Sequence, residues 1–176
     1  MIRSKTYLIW LLLLFSCNPS RSAKQFPSEE SLPKLYSRVN DYADILNPKE
    51  EMELNELLES LEDSVGSQLV ILTIKSLEGE KIESYSMRIA NEWKIGRASH
   101  NDGIIVTLAM QDQKIRIEVG YGLELIVKDE IAKAIITEIM VPQFRQDSFS
   151  LGLKNASQEM IRLIYDQKDL IGKSPY

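Results

Sequence analysis

Cysteine and histidine are almost missing from this sequence, which holds one of each in 176 residues. A single thiol makes no internal disulfide. A single imidazole builds neither a zinc centre nor a Cys–His catalytic pair. No Gly-x-Ser-x-Gly elbow is present to recruit His100 into a hydrolase triad, so His100 is expected to be a loop residue. Clusters of positive charge are also lacking. The 21 Lys and Arg stand against 26 Asp and Glu, a net charge of -5, and bases and acids are interleaved. That argues against a phosphate-tracking surface and a nucleic-acid partner. Gly120-x-Gly122 lacks the third glycine of a dinucleotide fingerprint. Long apolar runs are absent but for YLIWLLLLF at 7–15, far short of the roughly 20 residues that span a bilayer.

That one run follows Arg3 and Lys5 and has the form of an export signal's apolar segment. Leu14-Phe15-Ser16-Cys17 comes directly after it and resembles a bacterial lipobox, with Phe15 bulkier than the usual occupant. The alternative is a plain cleaved signal with an incidental cysteine. A lone exported thiol would then be left reactive, which favours lipidation of Cys17. Loss of Arg3 and Lys5 leaves 19 basic residues against 26 acidic ones, a net of -7. So acidic a domain is not drawn to anionic headgroups by charge, and the acyl groups must supply the attachment. The expected location is a bacterial cell-envelope membrane, on its periplasmic or surface face.

Residues 17–38 are rich in Ser, Pro and charge and read as a flexible tether. Folded structure is expected from Val39. Asn47-Pro48 with Glu50 reads as a capped helix start, and Leu54, Leu57, Leu58, Leu61 and Val65 form its apolar stripe before Gly66 closes it. QLVILTI (68–74) and GIIVTLAM (103–110) are continuous apolar runs, as strands buried on both faces should be. A helix from about Glu80 to Trp93 separates them, with Trp93 expected as a core anchor. KIRIEV (114–119) alternates like a half-exposed strand. Further helices are expected from Asp129 to Val141, stopped by Pro142, and from about Ser150 to Tyr165. The class is α/β, with a small mixed sheet between helical layers.

Connectivity then places two loops together. Strands 68–74 and 103–110 are joined through a helix, which predicts a parallel pair with a right-handed crossover. Strands 103–110 and 114–119 share a short turn and are antiparallel neighbours. The loop entering the first (97–103) and the loop leaving the second (120–128) must therefore share one edge of the sheet. Asn101, Asp102, Glu124 and Asp129 become candidates for an oxygen-rich site of the kind that suits a hard divalent cation, Ca²⁺ above all. Gly103, Gly120 and Gly122 would let backbone approach closely. Plainer readings stand beside this one: Asn-Asp-Gly as turn chemistry, Asp129 as a helix cap, Glu124 as a solvated acid.

The order Val39-Asn40-Asp41-Tyr42-Ala43-Asp44, Gln68-Leu69-Val70-Ile71, Trp93-Lys94-Ile95-Gly96-Arg97, Asn101-Asp102-Gly103, Gly120-Tyr121-Gly122-Leu123-Glu124 and Asp129 resembles the TPM domain. That family includes thylakoid-lumen proteins linked to photosystem II repair, membrane-anchored receptor modulators and many exported bacterial proteins. The likeness runs from about Val39 to Ile164. It implies an α/β/α sandwich. Members have been described as acid phosphatases, and some as binding divalent cations near the acidic loops. Carried over residue by residue, this points to Asp41, Asn101, Asp102, Glu124 and Asp129. Asp41 lies outside the hairpin argument, but the extended residues between it and Asn47 span about 20 Å, enough to cross the sheet's depth. The family commonly has Asp-Asn-Gly where this chain has Asn101-Asp102-Gly103. The membrane span of many bacterial members is replaced here by the expected lipid on Cys17.

The organisation expected is a signal at 1–16, lipidated Cys17 and tether over 17–38, a TPM-like domain over 39–165 and a tail over 166–176. Two functions are in view, beside the plainer one of a domain that only occupies a surface and stabilises the envelope. One is a cation-binding accessory module that contacts a membrane or envelope protein. The other is a metal-dependent phosphomonoester hydrolase, in which clustered carboxylates hold a cation that polarises a phosphoryl oxygen.

Overall fold

The computed structural model describes residues 32–173. The expected signal, Cys17 and most of the expected tether lie outside those residues. Among the described residues four strands form one mixed sheet in the order β1-β2-β3-β4. They are β1 (Val39–Asp41), β2 (Gln68–Ile74), β3 (Gly103–Ala109) and β4 (Lys114–Val119). β1, β2 and β3 run parallel, and β4 returns antiparallel to β3.

Local chemistry sets the first crossover. α1 (Pro48–Val65) opens where the Asn47 side chain accepts from the Lys49 and Glu50 amides, while the Glu50 carboxylate accepts from the Asn47 amide. This reciprocal capping box satisfies donors that no helix turn can reach. Gly66, at φ 82°, ends the helix in the left-handed region. Leu54, Leu58 and Leu61 are almost wholly buried against Leu69 and Ile71 of β2. Each such burial is worth about 1.5–3 kcal/mol against exposure.

α2 (Ile82–Trp93) packs on the other face through Ile82 and Ile89, against Leu72, Ile74, Ile105 and Ala109. β2 and β3 are consequently buried from both sides, as their unbroken apolar runs predict. Strand order advances in one direction from β1 to β3, yet α1 and α2 lie on opposite faces. The two crossovers therefore differ in hand, and the right-handed rule holds for only one of them.

The helical layer over the α1 face continues with α3 (Asp129–Ala134), a wide π-type stretch over Ile135–Met140, α4 (Val141–Phe144) and α5 (Phe149–Asp166). Pro142 was expected to stop the helix that begins at Asp129, and it does not. The Val141 amide reaches back to the Ile136 carbonyl, and this wide turn carries the chain through Pro142, which has no N–H to place.

Residues on both sides of 39–165 also make contacts with the sheet and helices. Pro33 accepts from the Trp93 indole N–H and Lys34 from the Tyr42 hydroxyl. Buried Asn40 accepts from the Tyr36 amide and donates to the Ser37 carbonyl. At the other end, a 3₁₀ turn at Lys168–Leu170 lets Leu170 and Ile171 pack on the α1-side core. Among the described residues no helix is long and apolar enough to cross a membrane.

Candidate functional site

The loops before β3 and after β4 do meet. The Gly120 amide donates to the Gly103 carbonyl at 2.8 Å, and the Gly122 amide to the Asn101 carbonyl at 2.9 Å. A third segment closes over them, since the Gly172 amide donates to the Gly122 carbonyl at 3.0 Å. The glycines earn their positions by contact. A methyl on Gly103 would strike the Ile95 carbonyl, one on Gly120 the Asn101 carbonyl, and one on Gly122 the His100 carbonyl. Gly96, at φ +90°, is pressed against the backbone of Gly103. Close approach of backbone to backbone is what these glycines provide.

Asp102 sits at the centre of this rim and is wholly buried. Its Oδ1 accepts from the Arg97 amide at 2.8 Å. Its Oδ2 accepts from Arg97 Nε at 2.9 Å, Arg97 Nη2 at 2.5 Å and Ser67 Oγ at 3.1 Å. Burying a carboxylate is tolerable only with such pairing. The Arg97 guanidinium lies over the turn after α1, where a methyl on Gly66 would come within 2.5 Å of Nη1. Gln68 extends the network, accepting from the Gly96 amide at 2.7 Å and donating to Glu62 at 2.7 Å. Glu62 also pairs with Arg38. The acid that the Asn-Asp-Gly step presents is thus turned inward, where it welds the β2 and β3 entry loops.

Asp41 is not part of this rim. β1 is parallel to β2, and Asp41 stands opposite Thr73, whereas Gly103 stands opposite Gln68. Five residue steps of strand separate the two levels, about 16 Å. Asp41 faces the turn into α1 instead. Its Oδ2 accepts from the Ile45 and Leu46 amides at 2.8 Å each, and its Oδ1 accepts from the Thr73 hydroxyl. The expectation that the stretch after Asp41 crosses the sheet's depth is corrected here: that stretch folds into this turn.

The other three positions are exposed or partly exposed. Asn101 is exposed and, at φ 49°, holds the left-handed conformation that asparagine tolerates. Glu124 is half-buried. Asp129 is exposed in the first turn of α3 and is not its cap. Lys128 holds the cap position, and Asp129 there favours the helix dipole. Its charge also reaches Arg116. The hydrogen bond that Arg116 Nε donates to Glu118 is the main cause that raises the Arg116 pKa, with Glu83 and Asp129 adding smaller shifts. Among the described residues, no group of three or more His, Cys, Asp or Glu side chains is arranged to hold a metal ion. The five expected ligands do not fit a single cation: two carboxylates are spent on internal donors and Asp41 lies at the far rim.

Tyr121 is what the rim presents. It is 70% exposed at the tip of the loop that Gly120 and Gly122 pin down. His100 is half-buried, its Nδ1 2.7 Å from Ser99 Oγ, with Gly172 against the ring edge. Sequence reasoning passed over Arg97 as the partner of Asp102. The signal available was a lone Arg directly after a glycine and five residues before the acid.

A family model described as the TPM domain matches residues 39–163. No curated protein matches the chain. Among solved structures, the N-terminal domain of a P. gingivalis protein is similar at TM-score 0.69 and 25% identity, covering 75% of this chain and 84% of that one. The BA42 protein of Bizionia argentinensis is similar at TM-score 0.60 and 17% identity, covering 74% and 91%. The N-terminal domain of the cg2496 protein of Corynebacterium glutamicum follows at 0.58 and 12%, covering 82% and 87%. The last two likenesses concern the fold alone.

Proposed function

This chain belongs to the TPM domain family, and from that premise we propose that it is a non-catalytic accessory module, exported and tethered to an envelope membrane by a lipid on Cys17. In this reading it offers the loop rim to a membrane or envelope protein. The observation that carries the proposal is an exposed tyrosine on a locked backbone. Tyr121 projects from a loop whose flanking glycines are hydrogen-bonded to neighbouring main chain. A rigid aromatic of this kind anchors an interface at little cost in conformational entropy. The buried Asp102 supports the same reading, because its role is to fix the frame.

Affinity capture of the lipidated protein from intact membranes tests the proposal. A partner should be enriched over a chain lacking Cys17, and Tyr121→Ser should weaken its recovery. Recovery that ignores both changes would remove the support.

The metal-dependent phosphatase reading needs carboxylates free to hold a cation. Asp102 and Asp41 are committed to internal donors, and neither is free in this structure to hold one. Calcium titration read by amide shifts is the direct test. Saturable shifts confined to residues 101, 124 and 129 would restore a smaller site built from the oxygens of those residues.

A further inference from the structure

The rim opposite the loops carries a cavity of about 490 Å³ between the β3–β4 turn, α4 and the start of α5. We propose that it binds a small amphiphilic acid: an unbranched apolar chain ending in a carboxylate. The walls are apolar, built from Leu108, Met110, Ile115, Val141, Phe144 and Phe149. The two phenylalanine rings form one side, centroids 5.1 Å apart and tilted by 44°. Lys114 and Arg145 also line the cavity and are exposed, and neither belongs to an ion pair among the described residues. Asp147 is the one acid among the lining residues.

Two unpaired cations over a hydrocarbon pocket stand out in a chain of net charge -5. Apolar walls with a few convergent polar groups are what small-molecule sites share, and the volume lies inside their usual range of about 300–1,000 Å³. The guanidinium fork of Arg145 suits the two oxygens of a carboxylate, and Lys114 adds a second positive charge.

The test is titration of decanoate, kept below its micelle-forming concentration, with NMR signals of Met110, Ile115 and Phe149 as the readout. The proposal expects saturable shifts there, weaker binding of hexanoate, and decanol and decylammonium each weaker than decanoate by about tenfold or more. Lys114→Glu and Arg145→Glu should each weaken decanoate by a similar factor. Both residues are exposed, so an unchanged thermal transition serves as the folding control. Absence of saturable shifts overturns the proposal. So does equal binding of decanoate, decanol and decylammonium, or decanoate binding that survives both charge reversals. Because the cavity and the loop rim are at opposite ends of the sheet, this result is independent of the accessory reading.

Discussion

Replacing Asp102 by alanine separates a structural carboxylate from a ligating one. Its two oxygens accept from the Arg97 amide, the Arg97 guanidinium and the Ser67 hydroxyl. The Arg97 side chain is 39% exposed, so water recovers much of what its guanidinium loses. The Arg97 amide and the Ser67 hydroxyl are less fortunate, and Ser67 is wholly buried. Each donor left without a partner costs about 1–3 kcal/mol. The two together cost about 2–6 kcal/mol, a span that brackets the roughly 3–5 kcal/mol for breaking a buried pair. Against a typical total of about 5–15 kcal/mol this is a large fraction. Urea unfolding of calcium-free protein should show the midpoint falling by roughly 1–3 M at unchanged slope. A double-mutant cycle with Arg97→Ala should return a coupling of about 1–2 kcal/mol. A carboxylate waiting for a cation predicts the reverse, since removing it from the calcium-free chain relieves an unpaired charge. Unfolding of Asp102→Ala within about 0.5 kcal/mol of the parent would refute the structural role.

Three further outcomes are expected. Gly122→Ala forces a methyl into the His100 carbonyl and should cost about 2 kcal/mol or more, with faster amide exchange at residues 101 and 122 as the local readout. Thr107 buries a hydroxyl with no hydrogen-bond partner among the described residues, so Thr107→Val should stabilise by about 1 kcal/mol and raise the thermal midpoint by roughly 2–4 °C. Burial, opposed by nearby Arg88, raises the Tyr85 pKa above the ordinary value of 10.0. A raised folded value means its contribution is whole below pH 10.0 and is lost as pH climbs through the folded value. Tyr85→Phe should therefore flatten the alkaline limb of a stability–pH profile, with tyrosinate absorbance reporting which ring ionises.

Much of this architecture is legible in the sequence because its signals are local. Asn47 and Glu50 sit at the spacing a capping box needs, and the apolar runs of β2 and β3 are too continuous for a half-exposed strand. The meeting of the two loops follows from connectivity alone. β1 escapes because a three-residue strand is too short to show a period, and with it goes the placement of Asp41, which only parallel pairing fixes. The inward turn of Asp102 escapes for a different reason. An Asn-Asp-Gly step looks the same whether its carboxylate points to solvent or to an arginine, and the choice is made by Ser67 and Gly66, some thirty-five residues earlier in the chain.

The loop rim is tied by amide-to-carbonyl bonds between residues 103 and 120, 101 and 122, and 122 and 172. None of these bonds reads a side chain. Positions 121 and 124 are thereby free to change identity over evolutionary time while the scaffold beneath them keeps its shape, much as a picture rail holds whatever is hung from it. A lineage that inherits such a scaffold acquires new binding preferences by point substitution at the tip, without having to refold the domain each time.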